Sequence, residues 1–521
     1  MAQETQMNPV KEKLSFSHGA RIGILGFARE GKSVLKFLQN RRLTQMSTRI
    51  NADDEIWIVD KKATIKAPRG IHGQFGKNYL KNLGRFDLIF RSPGIPWNTP
   101  ELVRARRAGV HPHTQRGLVL KNKNPRSGVG VKFSSATKLF FEQLRGLTQT
   151  ERGQAQTKQS GPTVIGITGT KGKGTTATLL YNILHAAHKP VFLAGNIGAP
   201  ALDLLPRLSA LSPRKSAIVI LELSSFQLQD LRVSPHVAAI LDVFPDHQDA
   251  HKNLHEYYEA KANIARYQKP SDKVFFFGDN HLSARIAQRG HGKKVAVYPF
   301  SNSRELENGV RNVLQIPGEH NFKNAVMAAT VAKSLGIPKA TIIKTVKNFR
   351  GLEHRLEFVR RIRVKPRSYP RRSASVEFWN DSASTNPQTA AAAVKTFSSP
   401  PYNLKPLTSN LILIAGGQDK NLDYAPLANA LRHSNTKLIV LFGENRKKIR
   451  RQVSSIKCQV IMVKNLPQAI KTAYRFAQKL TTYYLLPTTI LFSPGAASFD
   501  QFHDYADRGT RFKNIVKSLT K

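Results

Sequence analysis

Apolar residues along this chain gather in short runs that alternate with stretches of helical spacing, and most runs end at a glycine. RIGILG, from Arg21, turns at Gly26 to Gly31 and passes into the helically spaced SVLKFLQ. That order predicts a strand, a glycine turn and a helix. EIWIVD (Glu55 to Asp60) and FDLIF, closed by the turn Ser92-Pro93-Gly94, predict two further strands, followed by the helical ELVRARRAG. The alternation returns in TVIGIT, AIVILEL and VAAILDVF, and then in the helical PGEHNFKNAVMAATVAKSL. After Gly351 a basic, strand-rich stretch precedes SNLILIAGG, KLIVLFG and TTILFSPG, three apolar strands each closed by glycine. Strands alternating with helices predict α/β folding around mostly parallel sheets. GLTQTERGQAQTKQSG, Gly146 to Gly161, is polar and glycine-bounded and predicts a linker. With that linker and Gly351 as boundaries, the chain divides into 1–150, 151–351 and 352–521.

Composition supports this division without choosing a function. At 521 residues the chain exceeds one ordinary core, and typical domain sizes suggest about three. Lys and Arg outnumber Asp and Glu by 81 to 34, a net charge of +47. A field of that sign attracts nucleotides, nucleic acids and anionic lipid heads alike. The basic residues are spread along the chain, with one dense run at Arg360 to Arg372, and no aromatic-interleaved stripe marks a nucleic-acid module. Cys458 is the only cysteine, which excludes a disulfide framework or a cysteine-based zinc site within one chain. The first residues, MAQETQMNPVKEK, lack the apolar core of a signal peptide. No run approaches the roughly 18 apolar residues of a membrane span. A cytoplasmic protein without membrane insertion is expected.

The chemistry concentrates where strands end. In TGTKGKGTT, Gly169 and Gly172 let backbone N–H groups close on phosphate oxygens, and Lys173 can reach the β/γ region. Gly174 occupies the position where such loops usually carry a hydroxyl, which moves the Mg²⁺-binding role to Thr175. The turn Gly26-x-Ala28-x-x-Gly31, with Asp60 after the next strand, resembles a dinucleotide fingerprint in which Ala28 replaces the second glycine. That leaves a nicotinamide dehydrogenase open on this turn alone. Glu222, in ELSSFQL, ends a strand and is placed to bind a metal. His247, in DHQDAH, is a candidate for Mg²⁺ or substrate, although taken singly it reads as a surface or capping histidine. Lys261, in EAKANI, reads from residue type alone as a surface lysine.

The ordered set TGTKGKGTT, GNIG (Gly195 to Gly198), ELSSFQL, DHQDAH, EAKANI, PGEHNFKN, GLEHRLE, NDSASTNP and SPGAASFDQFHDYADRG resembles the Mur ligase family from about Arg21 to Val516. ELSSFQL and SPGAASFDQF point to its D-glutamate-adding member, while the GKG form of the loop is more like that of folylpolyglutamate synthases. The resemblance implies three domains: an N-terminal Rossmann-like UDP-binding domain, a central P-loop ATPase domain and a C-terminal Rossmann-like α/β domain. It implies ATP and Mg²⁺ as cofactors, UDP-N-acetylmuramoyl-L-alanine and D-glutamate as substrates, and a monomer without specific nucleic-acid binding. An acyl phosphate, formed from ATP and attacked by the incoming amine, is the implied route in peptidoglycan precursor synthesis.

It also implies residue roles. Gly169, Thr170, Lys171, Gly172, Lys173, Gly174, Thr175 and Thr176 would bind ATP, with Asn321, Asn324, Arg355 and Asp381, and His320 beside the adenine. Thr175 and Glu222 would hold one Mg²⁺, and His247 with a carbamylated Lys261 a second. Lys173, Glu222, His247, Lys261 and Arg355 form the implied catalytic set, Arg355 reaching the γ-phosphate as the domains close. Gly26, Ala28, Arg29, Gly31, Asp60, Lys61, Lys62, Ser92, Gly94 and Asn196 would line the uridine-diphosphate substrate's pocket. Thr385, Lys420, Ser498, Phe499 and Tyr505 would hold the amino acid. This chain carries Ala383 and Tyr505 where the family commonly has lysine and phenylalanine.

Overall fold

The structure is a computed structural model that describes residues 19–43, 53–107, 131–150, 161–211, 217–246, 250–301, 305–364, 374–398, 410–484 and 486–519. Three sheets follow one another along the chain. The first holds β1 (Arg21–Leu25), β2 (Glu55–Asp60), β3 (His72–Phe75), β4 (Leu88–Arg91) and β5 (Lys132–Ser134), in the order β3-β2-β1-β4-β5. The second holds β6 (Thr163–Thr168), β7 (Val191–Gly195), β8 (Ile218–Glu222), β9 (Val237–Ile240), β10 (Lys273–Phe277) and β11 (Lys293–Val297), in the order β11-β10-β9-β6-β8-β7. The third holds β12 (Glu357–Val364), β13 (Ala374–Asn380), β14 (Asn410–Gly416), β15 (Thr436–Phe442), β16 (Gln459–Met462) and β17 (Thr488–Phe492), in the order β12-β13-β17-β14-β15-β16.

Every pairing is parallel except that of β12 with β13. Parallel strands covered on both faces need apolar residues at successive positions, and β14 and β15 are buried almost throughout. The antiparallel β12 lies at a sheet edge, and its alternating arginines leave it half exposed.

The chain forms two compact units, Met1–Lys173 with His188–Tyr298, and Gly174–Ala187 with Pro299–Lys521. In the first unit one apolar core joins Ile22, Ile24 and Ile58 of the first sheet to Val219, Leu221 and Ile240 of the second. In the second unit separate cores cover the two faces of the third sheet.

The expected linker is partly helix. The helix Ala136–Thr150 runs through Gly146 into its first residues, because the periodic Leu139, Phe140 and Leu144 bury one face and carry the helix past a single glycine. Residues 151–160 of that linker lie outside the described residues.

Each topology reverses direction at one strand, and ligands of open α/β sheets bind beyond the carboxyl ends of the strands at such points. In the first sheet the chain steps from β1 to β2 and β3, then returns to lay β4 on the other side of β1. In the second it lays β7 and β8 on one side of β6 and β9 on the other. In the third, β17 returns between β13 and β14.

The first of these points depends on a bare helix start. A Cβ on Gly31 would lie 2.1 Å from the carbonyl oxygen of Gly26, a backbone atom that cannot swing aside. We expect Gly31→Ala to destabilise the first unit by about 2–3 kcal/mol, seen as a lower urea midpoint for its unfolding. An unchanged midpoint would show that the helix Arg29–Leu43 can back away.

Candidate active site

The loop after β6 is shaped by its glycines and by the strand beside it. Gly169 has φ +153°, and a Cβ there would sit 2.7 Å from Leu241 Cβ. Thr170 N–H donates to the Asp242 carbonyl at 2.9 Å, which fixes the loop to the end of β9. Thr170 Oγ1 accepts from Phe244 N–H at 2.9 Å and shares a 2.8 Å hydrogen bond with Tyr257 Oη. Lys173 then opens the helix Lys173–Ala186, so its N-terminus follows the loop directly.

Two ammonium groups converge on this loop. Lys173 Nζ donates to the carbonyls of Gly169 and Thr170, both at 3.1 Å. Lys261 Nζ donates to the same Gly169 carbonyl at 2.9 Å. Lys261 is 2% exposed, which corrects its assignment as a surface lysine. The reason lies in the helix Leu254–Arg266, which packs Tyr257, Ala260, Lys261 and Ile264 inward and carries Lys261 with its core face. Burial, and then the neighbouring Lys173 charge, push the Lys261 ammonium well below the usual lysine range, against the opposing pull of Asp246. The Lys261 ammonium also lies 4.8 Å from the centre of the Tyr257 ring. Tyr257 was not foreseen as a site residue. Its spacing of four from Lys261 on one helix face was the available signal.

Beside the loop, Glu222 ends β8 and is buried. Asn196 N–H donates to the Glu222 carbonyl at 3.2 Å, so the GNIG turn lies over that strand end. His247 lies outside the described residues. The second histidine of that motif, His251, stacks on Phe226 at 5.0 Å and bonds Ser225 Oγ at 3.0 Å. Among the described residues no cluster of three or more His, Cys, Asp or Glu side chains could hold a metal.

The first sheet presents its glycine turn toward the same motifs. Asp60 accepts Phe27 N–H at 2.6 Å and Lys62 N–H at 2.8 Å, bracing the turn, while Lys61 and Lys62 are exposed beside it. Ser92 Oγ donates to the Gly26 carbonyl at 2.7 Å, which brings the turns after β1 and β4 together. Ala28 and Gly94 are exposed around them. Arg29 donates to the Gly195 carbonyl and, at 3.1 Å, to that of Gly198. Its guanidinium thus ties the glycine turn to the GNIG turn and to Asn196.

Glu30 accepts from Gln227 Nε2 at 2.7 Å, and the fully buried Arg91 donates to the Phe226 carbonyl at 2.9 Å. These two ties anchor ELSSFQL to the first sheet. Burial raises the Glu30 carboxyl and lowers the Arg91 guanidinium. Neither tie could be foreseen from isolated motifs.

In the second unit the candidates that follow strands of the third sheet lie at its carboxyl edge. Asp381 follows β13, Lys420 follows β14, and Ser498 and Phe499 follow β17. Lys420 Nζ lies 5.5 Å from the centre of the exposed Phe499 ring. The buried Arg508 binds both strand-end loops, donating to the Ser382 carbonyl at 2.8 Å and the Ala496 carbonyl at 3.0 Å. Ser382 Oγ donates to the Tyr505 carbonyl at 2.8 Å. Thr385 is exposed on the same loop and Ser498 is buried. Asn321 and Asn324 are buried on the helix Glu319–Ser334, where Asn321 Nδ2 donates to the Pro317 carbonyl at 2.6 Å.

A family model described as the Mur ligase middle domain matches residues 167–332. The UDP-N-acetylmuramoylalanine--D-glutamate ligase of Acetivibrio thermocellus is 30% identical, with 99% of each chain covered. This chain belongs to the Mur ligase family. The corresponding ligase of Clostridium acetobutylicum is 27% identical, with 98% of each chain covered. A crystal structure of MurF from Acinetobacter baumannii has a TM-score of 0.51 at 16% identity and covers 76% of this chain and 83% of that one. That likeness shows the fold that this Mur ligase shares with it.

Asp381 supplies a test of the third sheet's edge. Burial raises its carboxyl from 3.8 to about 7, against the pull of hydrogen bonds from Ser493 and the Leu356 N–H. The folded chain therefore keeps a proton that the unfolded chain has lost, and stability falls as pH rises through that window. Asp381→Asn should remove the fall. We expect its unfolding free energy from urea titrations to gain on the parent's from about pH 4 upward and level off above about pH 7, by at most about 4 kcal/mol. An equal difference between the two at pH 5 and pH 8 would contradict the shift.

Proposed function

We propose that this chain is an ATP-dependent amide ligase that adds D-glutamate to UDP-N-acetylmuramoyl-L-alanine in cytoplasmic peptidoglycan precursor synthesis. The observation that carries this is its similarity, at 30% identity over 99% of each chain, to the D-glutamate ligase of Acetivibrio thermocellus. The crowding of Lys173 and Lys261 on the Gly169 carbonyl supports it physically, because two cations beside a helix N-terminus suit a polyphosphate.

The γ-phosphoryl group passes from ATP to the substrate carboxylate, forming a C–O–P acyl phosphate and releasing ADP. The D-glutamate amine then attacks the acyl carbon, and the tetrahedral adduct expels phosphate to leave an amide. Bringing a carboxylate to a triphosphate sets two anions against each other, so fixed cations must offset a repulsion that grows as water leaves. Lys173, whose ammonium lies at the loop, serves this task in our reading. In the same reading Arg355 meets the γ-phosphate, Asn321, Asn324 and Asp381 serve the nucleotide, and Thr385, Lys420, Ser498, Phe499 and Tyr505 serve the amino acid. The Gly26 to Gly31 turn, with Asp60, Lys61, Lys62, Ser92, Gly94 and Asn196, receives the uridine-diphosphate substrate. Three domains, 1–150, 151–351 and 352–521, in a monomer complete the reading.

Mg²⁺ fits part of this donor set. A buried carboxylate at Glu222 and hydroxyls on the first helical turn are hard oxygen donors, and the buried Thr176 Oγ1 has no hydrogen-bond partner among the described residues. One carboxylate with substrate phosphates is the usual environment of this ion. Thr175 and Glu222 would hold it, and it would neutralise charge on the transferring phosphoryl group. Lys261 as an ammonium is no ligand, so a second ion with His247 requires carbamylation. The depressed Lys261 provides for that, since only a neutral amine adds to CO₂, losing its proton and becoming an anionic carbamate.

Phosphate release from ATP with UDP-N-acetylmuramoyl-L-alanine should depend on D-glutamate, and not on L-lysine, diaminopimelate or L-glutamate. Release with another amino acid alone would move the chain to another branch of the family. Lys173→Ala should lower kcat by about 10²-fold or more, and chelation should abolish release until Mg²⁺ is restored. For Lys261, depleting CO₂ should lower the parent's rate and bicarbonate should recover it. A rate indifferent to CO₂, together with an active Lys261→Ala, excludes the carbamate.

A further inference from the structure

Arg355 stands between His354 and Leu356, which hold φ of 64° and 42° without being glycine. A left-handed backbone crowds the Cβ of an L-residue against the following carbonyl, so two such residues in one short turn persist only where their surroundings impose them.

The surroundings are unusually complete. His354 N–H donates to Glu357 Oε2 at 2.9 Å, and Leu356 N–H to Asp381 Oδ1 at 3.3 Å. The His354 carbonyl accepts from Ala383 N–H at 3.0 Å. Its ring Nδ1 accepts from Asn380 Nδ2 at 3.0 Å, and that amide also donates to Glu357 Oε2 at 3.1 Å. Lys513 holds the outer side through Glu357 Oε1 at 3.1 Å and through Glu353. His354 and Leu356 are buried, at 5% and 8% exposure. Arg355 between them is exposed, and its side chain makes no hydrogen bond or ion pair with a described residue.

We infer that His354 and Leu356 are positioning residues whose strained backbone forms a rigid mount for the Arg355 guanidinium. The role rests on the proposed function of Arg355 at the γ-phosphate. Most of the contacts that impose the strain come from Asn380, Asp381 and Ala383, so the mount and the loop after β13 form one body. A cation held in place before its anion arrives needs no reorganisation as charge develops.

Substitutions at 354 test the mount by their tolerance of a left-handed backbone. Asn accepts that conformation and offers an acceptor near Nδ1, whereas Val is the least tolerant. In full-length protein, His354→Asn should keep about the parental kcat for D-glutamate-dependent phosphate release. His354→Val should melt as a folded protein, lose on the order of 10²-fold in kcat and keep its KM for D-glutamate. If the Val chain fails to fold, His354→Ala supplies the comparison, with an intermediate loss expected. Arg355→Ala, measured alongside, should be at least as damaged as the Val variant. An inactive Arg355→Ala beside parental kcat in the Val or Ala variant overturns the mount. Parental kcat in Arg355→Ala overturns the role of Arg355 itself. A loss of kcat in the Val variant matched by a proportional rise in KM for D-glutamate marks a general structural defect and also overturns the mount.

Discussion

The carbonyl oxygen of Gly169 receives two lysine ammonium groups, and much of the first unit's chemistry follows from that crowding. Two like charges beside one buried acceptor raise each other's energy, and burial removes the water that would screen them. An anion beside both groups would relieve the conflict, and so would conversion of Lys261 to a neutral or anionic form. The loop cannot avoid the crowding by moving. Thr170 is bonded to Asp242, Phe244 and Tyr257, and Gly169 packs on Leu241 with no room for a Cβ. The tension belongs to the folded state, so an anion that offset it would need no large rearrangement of the loop.

A second constraint acts through the sheets. Parallel strands deliver their carboxyl ends to one edge, and each of the three topologies reverses at a strand whose following loop carries candidate residues. The glycine turn, the loop after β6 and the loops holding Asp381, Lys420 and Ser498 occupy such edges. Buried polar contacts then fix each edge. Arg29 and Arg91 join the turns of the first sheet to the second, and Arg508 joins the loops after β13 and β17. These arginines act through backbone carbonyls, and burial lowers Arg508 to about 10, with Asp500 and Asp381 pulling the other way. Removing Arg508 would leave the buried Ser382 and Ala496 carbonyls without these donors.

The strained turn around Arg355 shows how cost is distributed. Left-handed backbone at two non-glycine residues costs about 1–2 kcal/mol each, against hydrogen bonds and apolar burial that the same residues make with the third sheet. Asp381 belongs to that account, since it accepts the Leu356 N–H while its own carboxyl is raised by burial. A single buried acid thus supports the turn and makes it sensitive to pH.

Alternating apolar runs and helical stretches were enough to anticipate the α/β class, the parallel sheets and the strand ends that carry TGTKGKGTT and ELSSFQL, because period and glycine punctuation are local properties of a chain. The glycine loop between β6 and the helix Lys173–Ala186 was legible for the same reason. Lys261 was not. A lysine on a helix reads as solvent-facing, and only the packing of Leu254–Arg266 shows it buried against Gly169. Nor did spacing disclose that Arg29 would clasp Gly195 and Gly198, or that His354 and Leu356 would be held at positive φ. By itself the sequence determined which elements form and which residue types stand at their ends. The tertiary structure alone decided which of those residues are buried, which charges face one another and which backbone is strained, since dielectric, distance and contact exist only once strands far apart in the chain have paired.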